Sequence, residues 1–291
     1  MTSPPFATRS SGAVLAVAAT AVAWGMVGVL VRWVSLPAVV IVAGRTAIGT
    51  LLLAPFVVTR RRVRLGWWAV VVGPLLALHW LALVLAQQRA PIGTVLLITY
   101  LAPVMVAVLA GRVLHERVPG AVVVALALAV VGIWVLADPR GHAGSGELLA
   151  LGAAVTYAAL VLVTKRIGGH VDAITISFVE LAGAAIVLVP FAAVADWGPA
   201  RSSWWWLVVL GSVFTAGLVT LFVVLLRRLP ATTVGVLTYL EPASAVMFGW
   251  IFLDEVPGAS TVVGGMLILV AGVIVVFATA RAQGAIASVP R

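Results

Sequence analysis

Charges, glycines and prolines cut this chain into ten apolar runs, with only short charged connections between them. The runs cover 12–32, 36–58, 65–87, 91–111, 119–137, 146–165, 173–194, 203–226, 230–253 and 258–280. Each has about the twenty residues that a helix needs to cross a hydrocarbon core. A backbone in lipid must satisfy its own hydrogen bonds, and a run of this length does so as a helix. Composition agrees: 63% of the 291 residues are hydrophobic and 9% are charged, where a soluble domain carries roughly a quarter charged. The expected fold is an all-α membrane protein of ten transmembrane helices, with the lipid bilayer as its solvent. The first run is followed by Arg32-Trp33 rather than by a small-residue cleavage site, so it reads as a mature helix and not as a signal peptide.

The basic residues orient these helices. With the N-terminus in the cytoplasm, the inner side holds Arg9, Arg60, Arg61, Arg62, Arg64, Arg112, Arg117, Lys165, Arg166, Arg227, Arg228, Arg281 and Arg291. The outer side holds only Arg32, Arg89, Arg140 and Arg201, and Arg45 sits inside a helix, which accounts for all 18 Lys and Arg. The bias alternates from loop to loop, as the positive-inside rule requires. The expected placement is a multi-pass protein of the plasma membrane with both termini cytoplasmic. The net charge of +9 is therefore read as topology and not as a nucleic-acid surface.

The chain also repeats itself. Residues 91–116 align without gaps on 230–255, with identities at Pro91/Pro230, Thr94/Thr233, Val95/Val234, Thr99/Thr238, Tyr100/Tyr239, Leu101/Leu240, Pro103/Pro242, Leu114/Leu253 and Glu116/Glu255. Pro55-Phe56 matches Pro190-Phe191, Trp24 falls near Tyr157, and Arg32 near Lys165. The expected units are 1–140 and 141–291, five helices each. Five is odd, so the second half crosses the membrane in the opposite sense. An inverted repeat of this kind belongs to several transporter folds, with the solute site near the midplane between the halves.

This arrangement resembles the drug/metabolite transporter superfamily, specifically its EamA-type ten-helix members, over essentially the whole chain. The resemblance is carried by Ala23-Trp24-Gly25, Gly44-Arg45-Thr46, Leu101-Ala102-Pro103-Val104 with Leu114-His115-Glu116-Arg117, and Tyr239-Leu240-Glu241-Pro242 with Leu253-Asp254-Glu255. It implies a fold in which helices 1–4 and 6–9 enclose a cavity, and a general transport activity with export as its direction. The chain departs from the family's pattern where His115 and Asp254 stand in place of the Gly that commonly precedes each Glu.

A charged residue at the centre of a span costs roughly 2.5–3.5 kcal/mol, so any such group should face a cavity or a partner. The spans contain Arg45, His79, Glu180 and Glu241. Arg45 and Glu180 align in the repeat, at depths of about 13 and 10 Å from opposite faces at about 1.5 Å per residue. They are expected to pair across the pseudo-twofold axis or to hold a zwitterionic solute between them, unless they form a purely structural ion pair. Glu180 and Glu241 are the candidate proton carriers. Glu241 adjoins Pro242, and Pro103 is the equivalent proline in the fourth run. Each proline frees a backbone carbonyl and breaks its helix at membrane depth, the best sequence pointer to a transporter site. Tyr100 and Tyr239 precede the two breaks, and Trp24 and Tyr157 are equivalent aromatics able to line the cavity. His79 is the one histidine placed near it. Trp67, Trp68 and Trp204–Trp206 read as interfacial belts, and Glu116 and Glu255 as gate or loop-anchoring groups. Runs 5 and 10 carry no ionisable residue and are expected to lie outside, against lipid.

There is no cysteine, no phosphate-binding Gly-x-x-x-x-Gly-Lys loop, and no second histidine to complete a zinc motif at His115-Glu116. No metal, cofactor or enzymatic activity is expected. The expected function is a secondary, proton-coupled transporter that exports small polar or amphipathic metabolites such as amino acids by alternating access. The alternatives are a passive facilitator of the same fold and an intramembrane transferase on a lipid-linked substrate. The expected partner is a small-molecule solute, and the oligomeric state stays open, with a monomer compatible.

Overall fold

The computed structural model describes residues 6–58, 66–113, 120–136, 144–167, 171–197, 204–226 and 237–287. Glu116 and the basic loops holding Arg60–Arg64, Arg117, Arg140, Arg201 and Arg227–Arg228 lie outside the described residues. Among the described residues, six helices are long and apolar enough to cross a membrane: Gly12–Val34, Ala38–Val58, Ala69–Gln87, Ser145–Thr164, Ile174–Ala193 and Trp204–Phe222. Four shorter apolar helices, Ile92–Val106, Val123–Gly132, Leu240–Leu253 and Ala259–Val275, complete the ten.

In chain order, the first span is α1 (Phe6–Gly25) followed, after a turn at Met26, by α2 (Val27–Val34). Spans 2 and 3 are α3 (Ala38–Val58) and α4 (Ala69–Gln87), and span 4 is α5 (Ile92–Thr99) broken from α6 (Ala102–Val113). Span 5 is α7 (Gly120–Leu136). The second half runs α8 (Ser145–Ile167), α9 (Ala173–Ala193), a composite span 8, α12 (Leu240–Leu253) and α13 (Ala259–Ala287). Span 8 begins as α10 (Trp204–Val209), opens into a π-helical segment (Leu210–Gly217) and resumes as α11 (Leu218–Leu226).

The packing closes eight of these spans into a ring. Following the contacts, α1 lies on α12, α12 on α5, α5 and α6 on α8, and α8 on α4. From there α4 lies on α9, α9 on α3, α3 on the π segment, and α11 on α1 again. In span numbers the order is 1–9–4–6–3–7–2–8, so each of these ring contacts joins one half of the chain to the other. Exchanging the two halves maps this contact set onto itself, which is what an inverted repeat demands. Spans 5 and 10 stand outside the ring as α7 packed along α13 and attached through α6.

Close approach between helices requires small residues where apolar association gains little from lipid. At the α4–α9 crossing, a Cβ added to Gly73 would stand 2.5 Å from the Cα of Gly183. Two backbones touch there. Leu51, Val70, Ile186 and Phe191 are exposed on the outer surface, where water would reject so large an apolar area and lipid accepts it. Inward hydroxyls are satisfied locally: Thr46 Oγ1 donates to Val42 O at 2.8 Å and Thr99 Oγ1 to Val95 O at 2.8 Å.

Candidate functional site

The breaks in spans 4 and 9 fall at equivalent tyrosines, Tyr100 after α5 and Tyr239 before α12. Pro103 and Pro242 then sit in the first turns of α6 and α12, where a missing N–H costs nothing. A proline has no N–H, so Pro242 offers no donor to the carbonyl four residues back, Thr238 O. The hydroxyl of Tyr100 supplies one, donating to Thr238 O at 2.8 Å. Tyr100 Oη also lies 2.8 Å from Glu241 Oε2, so a tyrosine of the first half spans the break in the second.

Arg45 is buried midway along α3. Its Nε donates to Thr215 Oγ1 at 3.2 Å, and its guanidinium carbon lies 3.9 Å from the ring centre of Trp80 on α4. A desolvated cation over an indole face is worth about 2 kcal/mol. Thr215 belongs to the π segment, and its hydroxyl donates to Leu210 O, five residues back, at 2.9 Å. The wide turn therefore presents Thr215 to Arg45, in keeping with the frequency of π bulges at functional sites. The charge that Arg45 feels is that of Glu241. Among the described residues Arg45 and Glu180 form no ion pair. Glu180 Oε1 instead accepts from Thr164 Oγ1 of α8 at 3.2 Å. Direct pairing across the axis, one of the two expectations for these residues, is not the arrangement of this conformation.

His79 Nδ1 lies 2.9 Å from Ala153 O. A carbonyl only accepts, so Nδ1 carries the hydrogen and Nε2 is left as an acceptor. The imidazole stacks on Tyr157 with ring centres 4.9 Å apart. On α8, Leu148, Leu151 and Val155 are exposed, and so is Tyr157 at 41%. At 3.6 residues per turn Tyr157 lies half a turn from Leu148, so its exposure is to the interior of the ring and theirs is to lipid. The Tyr157 phenol interacts electrostatically with both Glu180 and Glu241, and His79 with Arg45.

Trp24 closes the remaining side. Its Nε1 donates to Phe214 O in the π segment at 3.2 Å, and its ring meets Phe222 at 5.0 Å. A Cβ on the adjacent Gly25 would stand 2.9 Å from Glu241 O, so α1 touches the backbone of α12 beside the carboxylate. Tyr239 joins only through its ring, 5.3 Å from that of Tyr100. Its hydroxyl is buried without a hydrogen bond among the described residues and is wedged against Gly272 of α13, so it is turned away from Glu241.

Arg45, His79, Tyr100, Tyr157, Glu180 and Glu241 thus form one electrostatically connected cluster inside the ring. Thr215, Trp80, Phe214 and Thr164 belong to it as well and were not singled out from sequence. A faint signal existed for Thr215, a hydroxyl residue between Gly211 and Gly217 in an otherwise apolar run. Among the described residues no three His, Asp or Glu gather as a metal site.

The model of the EamA-like transporter family matches residues 11–137 and, separately, 144–278. The chain belongs to this family. Two family copies in tandem account for the two interleaved halves of the ring. The pseudopaline exporter CntI of Pseudomonas aeruginosa is 30% identical over 272 residues, covering 90% of this chain and 94% of its own length. The threonine/homoserine exporter RhtA of Escherichia coli K12 is 30% identical over 232 residues, 74% of each chain. A solved crystal structure at 19% identity superposes with a TM-score of 0.62 over 91% of this chain and 96% of its own, which speaks for the fold. As an EamA-like protein, the chain is a multi-pass membrane transporter of small-molecule solutes and not an enzyme.

Proposed function

We propose that this transporter exports small zwitterionic metabolites, amino acids among them, across the plasma membrane in exchange for protons by alternating access. In this reading both termini are cytoplasmic and the repeat boundary falls at 140/141. The observation that carries it is the Tyr100–Glu241 hydrogen bond across the helix breaks, with the Arg45 cation buried inside the same ring. The Nε of Arg45 is held by Thr215 and its plane by Trp80, which leaves the terminal nitrogens to a carboxylate in the bidentate geometry that guanidinium favours. Glu241 and Tyr100 offer acceptors for an ammonium group, while Trp24, Trp80 and Tyr157 supply apolar faces. RhtA is named for threonine and homoserine, both of which carry this pair of charges.

Hydrogen-bond accounting supports the proton. Tyr100 has one hydroxyl hydrogen and two acceptors at 2.8 Å. A protonated Glu241 donates to Tyr100 while Tyr100 donates to Thr238; an ionised Glu241 competes with Thr238 for the single hydrogen. Loss of the proton therefore loosens the break in span 9. Glu180, hydrogen-bonded to Thr164 nearer the cytoplasmic ends of α8 and α9, is the second carrier.

The test is threonine flux in proteoliposomes with and without an imposed proton gradient, for wild type, Glu180→Gln and Glu241→Gln. Gradient-driven accumulation is expected in wild type, with passive exchange alone in at least one variant. Flux indifferent to the gradient in all three would establish the facilitator instead.

A further inference from the structure

One polar cluster lies well away from this site, at the mouth of the ring where α2, α4 and α12 end and α5 begins. Arg32, in the last turn of α2, donates from Nε to Gln87 O and from Nη2 to Ala90 O at 2.7 Å. The same Nη2 meets Glu255 Oε1 at 3.2 Å. The other oxygen, Glu255 Oε2, accepts the backbone N–H of Ile92 at 2.7 Å, the first residue of α5. An N–H at a helix start has no intrahelical partner, so this carboxylate fills a vacancy that the helix itself cannot. One arginine and one glutamate thereby tie together spans 1, 3, 4 and 9. Spans 1 and 3 are not neighbours in the ring, so the bonds from Arg32 to the turn after α4 cross its opening.

The surroundings are shaped for this bridge. A Cβ on Gly249 would stand 2.8 Å from Glu255 Oε2 and 3.0 Å from Ile92 Cγ1, so only glycine leaves room for both. Asp254 adopts φ 56°, ending α12 in a left-handed residue that turns Glu255 inward. Beside the bridge, Gln88 Nε2 donates to Leu36 O at 2.9 Å. Trp33 lies between Trp206 and Phe252, at 5.3 and 5.8 Å. The segment being held is separate from the rest of its span. The α-helical ladder is interrupted at Met26, whose N–H returns to Ala23 O at 3.0 Å, and α2 beyond this turn is buried on nearly all sides. It packs on α12, α10 and α4.

We propose that α2 is a gate over one end of the transport path, hinged at Gly25-Met26 and latched shut by Arg32 and Glu255. In the orientation given under Proposed function this is the outer end, and the proposal rests on that orientation only for which side it names. The latch suits repeated opening. Its side chains remain partly accessible, 31% for Arg32 and 15% for Glu255, so water replaces the ion pair at small net cost. A deeply buried pair would be a rivet. Solute leaving the Arg45–Glu241 site toward this face must part the two residues, which makes them positioning groups in the transport cycle and not part of the binding site.

The absence of native cysteine gives a clean test. Tyr157, 41% exposed and turned to the interior of the ring, lies on the path that the latch would close. Tyr157→Cys is labelled with a membrane-impermeant maleimide, applied to right-side-out and to inverted vesicles, in the full-length protein. This is done with the latch intact and with Arg32→Met, Arg32→Lys or Glu255→Gln added. Glu255→Gln, which loses one charge-assisted hydrogen bond, is expected to raise labelling from the outer face roughly tenfold. Arg32→Met also leaves Gln87 O and Ala90 O without this donor and is expected to raise it by more. Arg32→Lys, which keeps a donor and the charge, should stay near the intact rate. A rise confined to the inner face keeps the latch and overturns the assigned orientation. Equal labelling across all variants, or an equal rise on both faces, overturns the gate.

Discussion

The two halves of this molecule share a frame and differ in what they put on it. Spans 4 and 9 break at the same place, after Tyr100 and Tyr239. Spans 1 and 6 do not match: the first is interrupted at Met26, while α8 runs unbroken from Ser145 to Ile167. Nor do spans 3 and 8, since α4 is a continuous helix and its counterpart opens into the π segment that holds Thr215 against Arg45. The first half supplies the buried cation, and the second supplies both half-buried carboxylates of the spans, Glu180 and Glu241. On the alternating-access reading proposed above, symmetry of the frame gives the molecule two ways to tilt. Asymmetry of the side chains gives a bound solute a defined head and tail.

Equivalent crossings should respond unequally to the same change, and glycine gives the largest effect. Gly73→Ala brings a Cβ against the backbone of α9, whereas Gly44→Ala meets only the end of the Leu207 side chain at 2.5 Å. Overpacking costs about 1–3 kcal/mol, and Gly73→Ala is expected at or above the top of that range. Gly44→Ala should fall near the bottom, because Leu207 can move. Thermal melting in detergent micelles compares them; equal losses would mean that the two crossings are equally rigid.

The tyrosine pair is next. Tyr100→Phe removes the donor to Thr238 O and the contact with Glu241, an expected loss of about 1–3 kcal/mol for groups left unpaired. Tyr239→Phe removes a hydroxyl that is buried without a hydrogen-bond partner among the described residues, so its melting point should hold or rise. A loss with Tyr239→Phe as large as with Tyr100→Phe would break the asymmetry claimed for the two breaks. The smallest effect belongs to Asp254→Gly. A left-handed residue is strained for most side chains and free for glycine, so at φ 56° the change should stabilise by roughly 0.5–1 kcal/mol. The position needs positive φ, and aspartate is among the few residues other than glycine that tolerate it.

Much of the frame was legible because lipid leaves little choice. Polar backbone and charge are costly there, so runs such as 36–58 and 173–194 declare themselves, and α3 and α9 match them closely. Pro103 and Pro242 marked their breaks for a similar reason, since the ring of a proline cannot be hidden in a helix interior. The partners of the polar groups were not legible. Arg45 and Glu180 align in sequence, yet Arg45 lies by Thr215, Trp80 and Glu241 while Glu180 bonds to Thr164. Alignment of repeats gives depth and not rotation about a helix axis, and the π segment alters that rotation without changing the apolar character of its run.

By itself, then, the sequence determined the ten spans, their inverted halves and the few ionisable residues that lie at membrane depth, because the free energy of placing each group in hydrocarbon is set locally. The tertiary structure alone decided the ring order, the partners of Arg45 and the bridge from Arg32 to Glu255. Those contacts join residues as far apart as 223 positions in the chain. They exist only once helices from opposite halves have packed side by side.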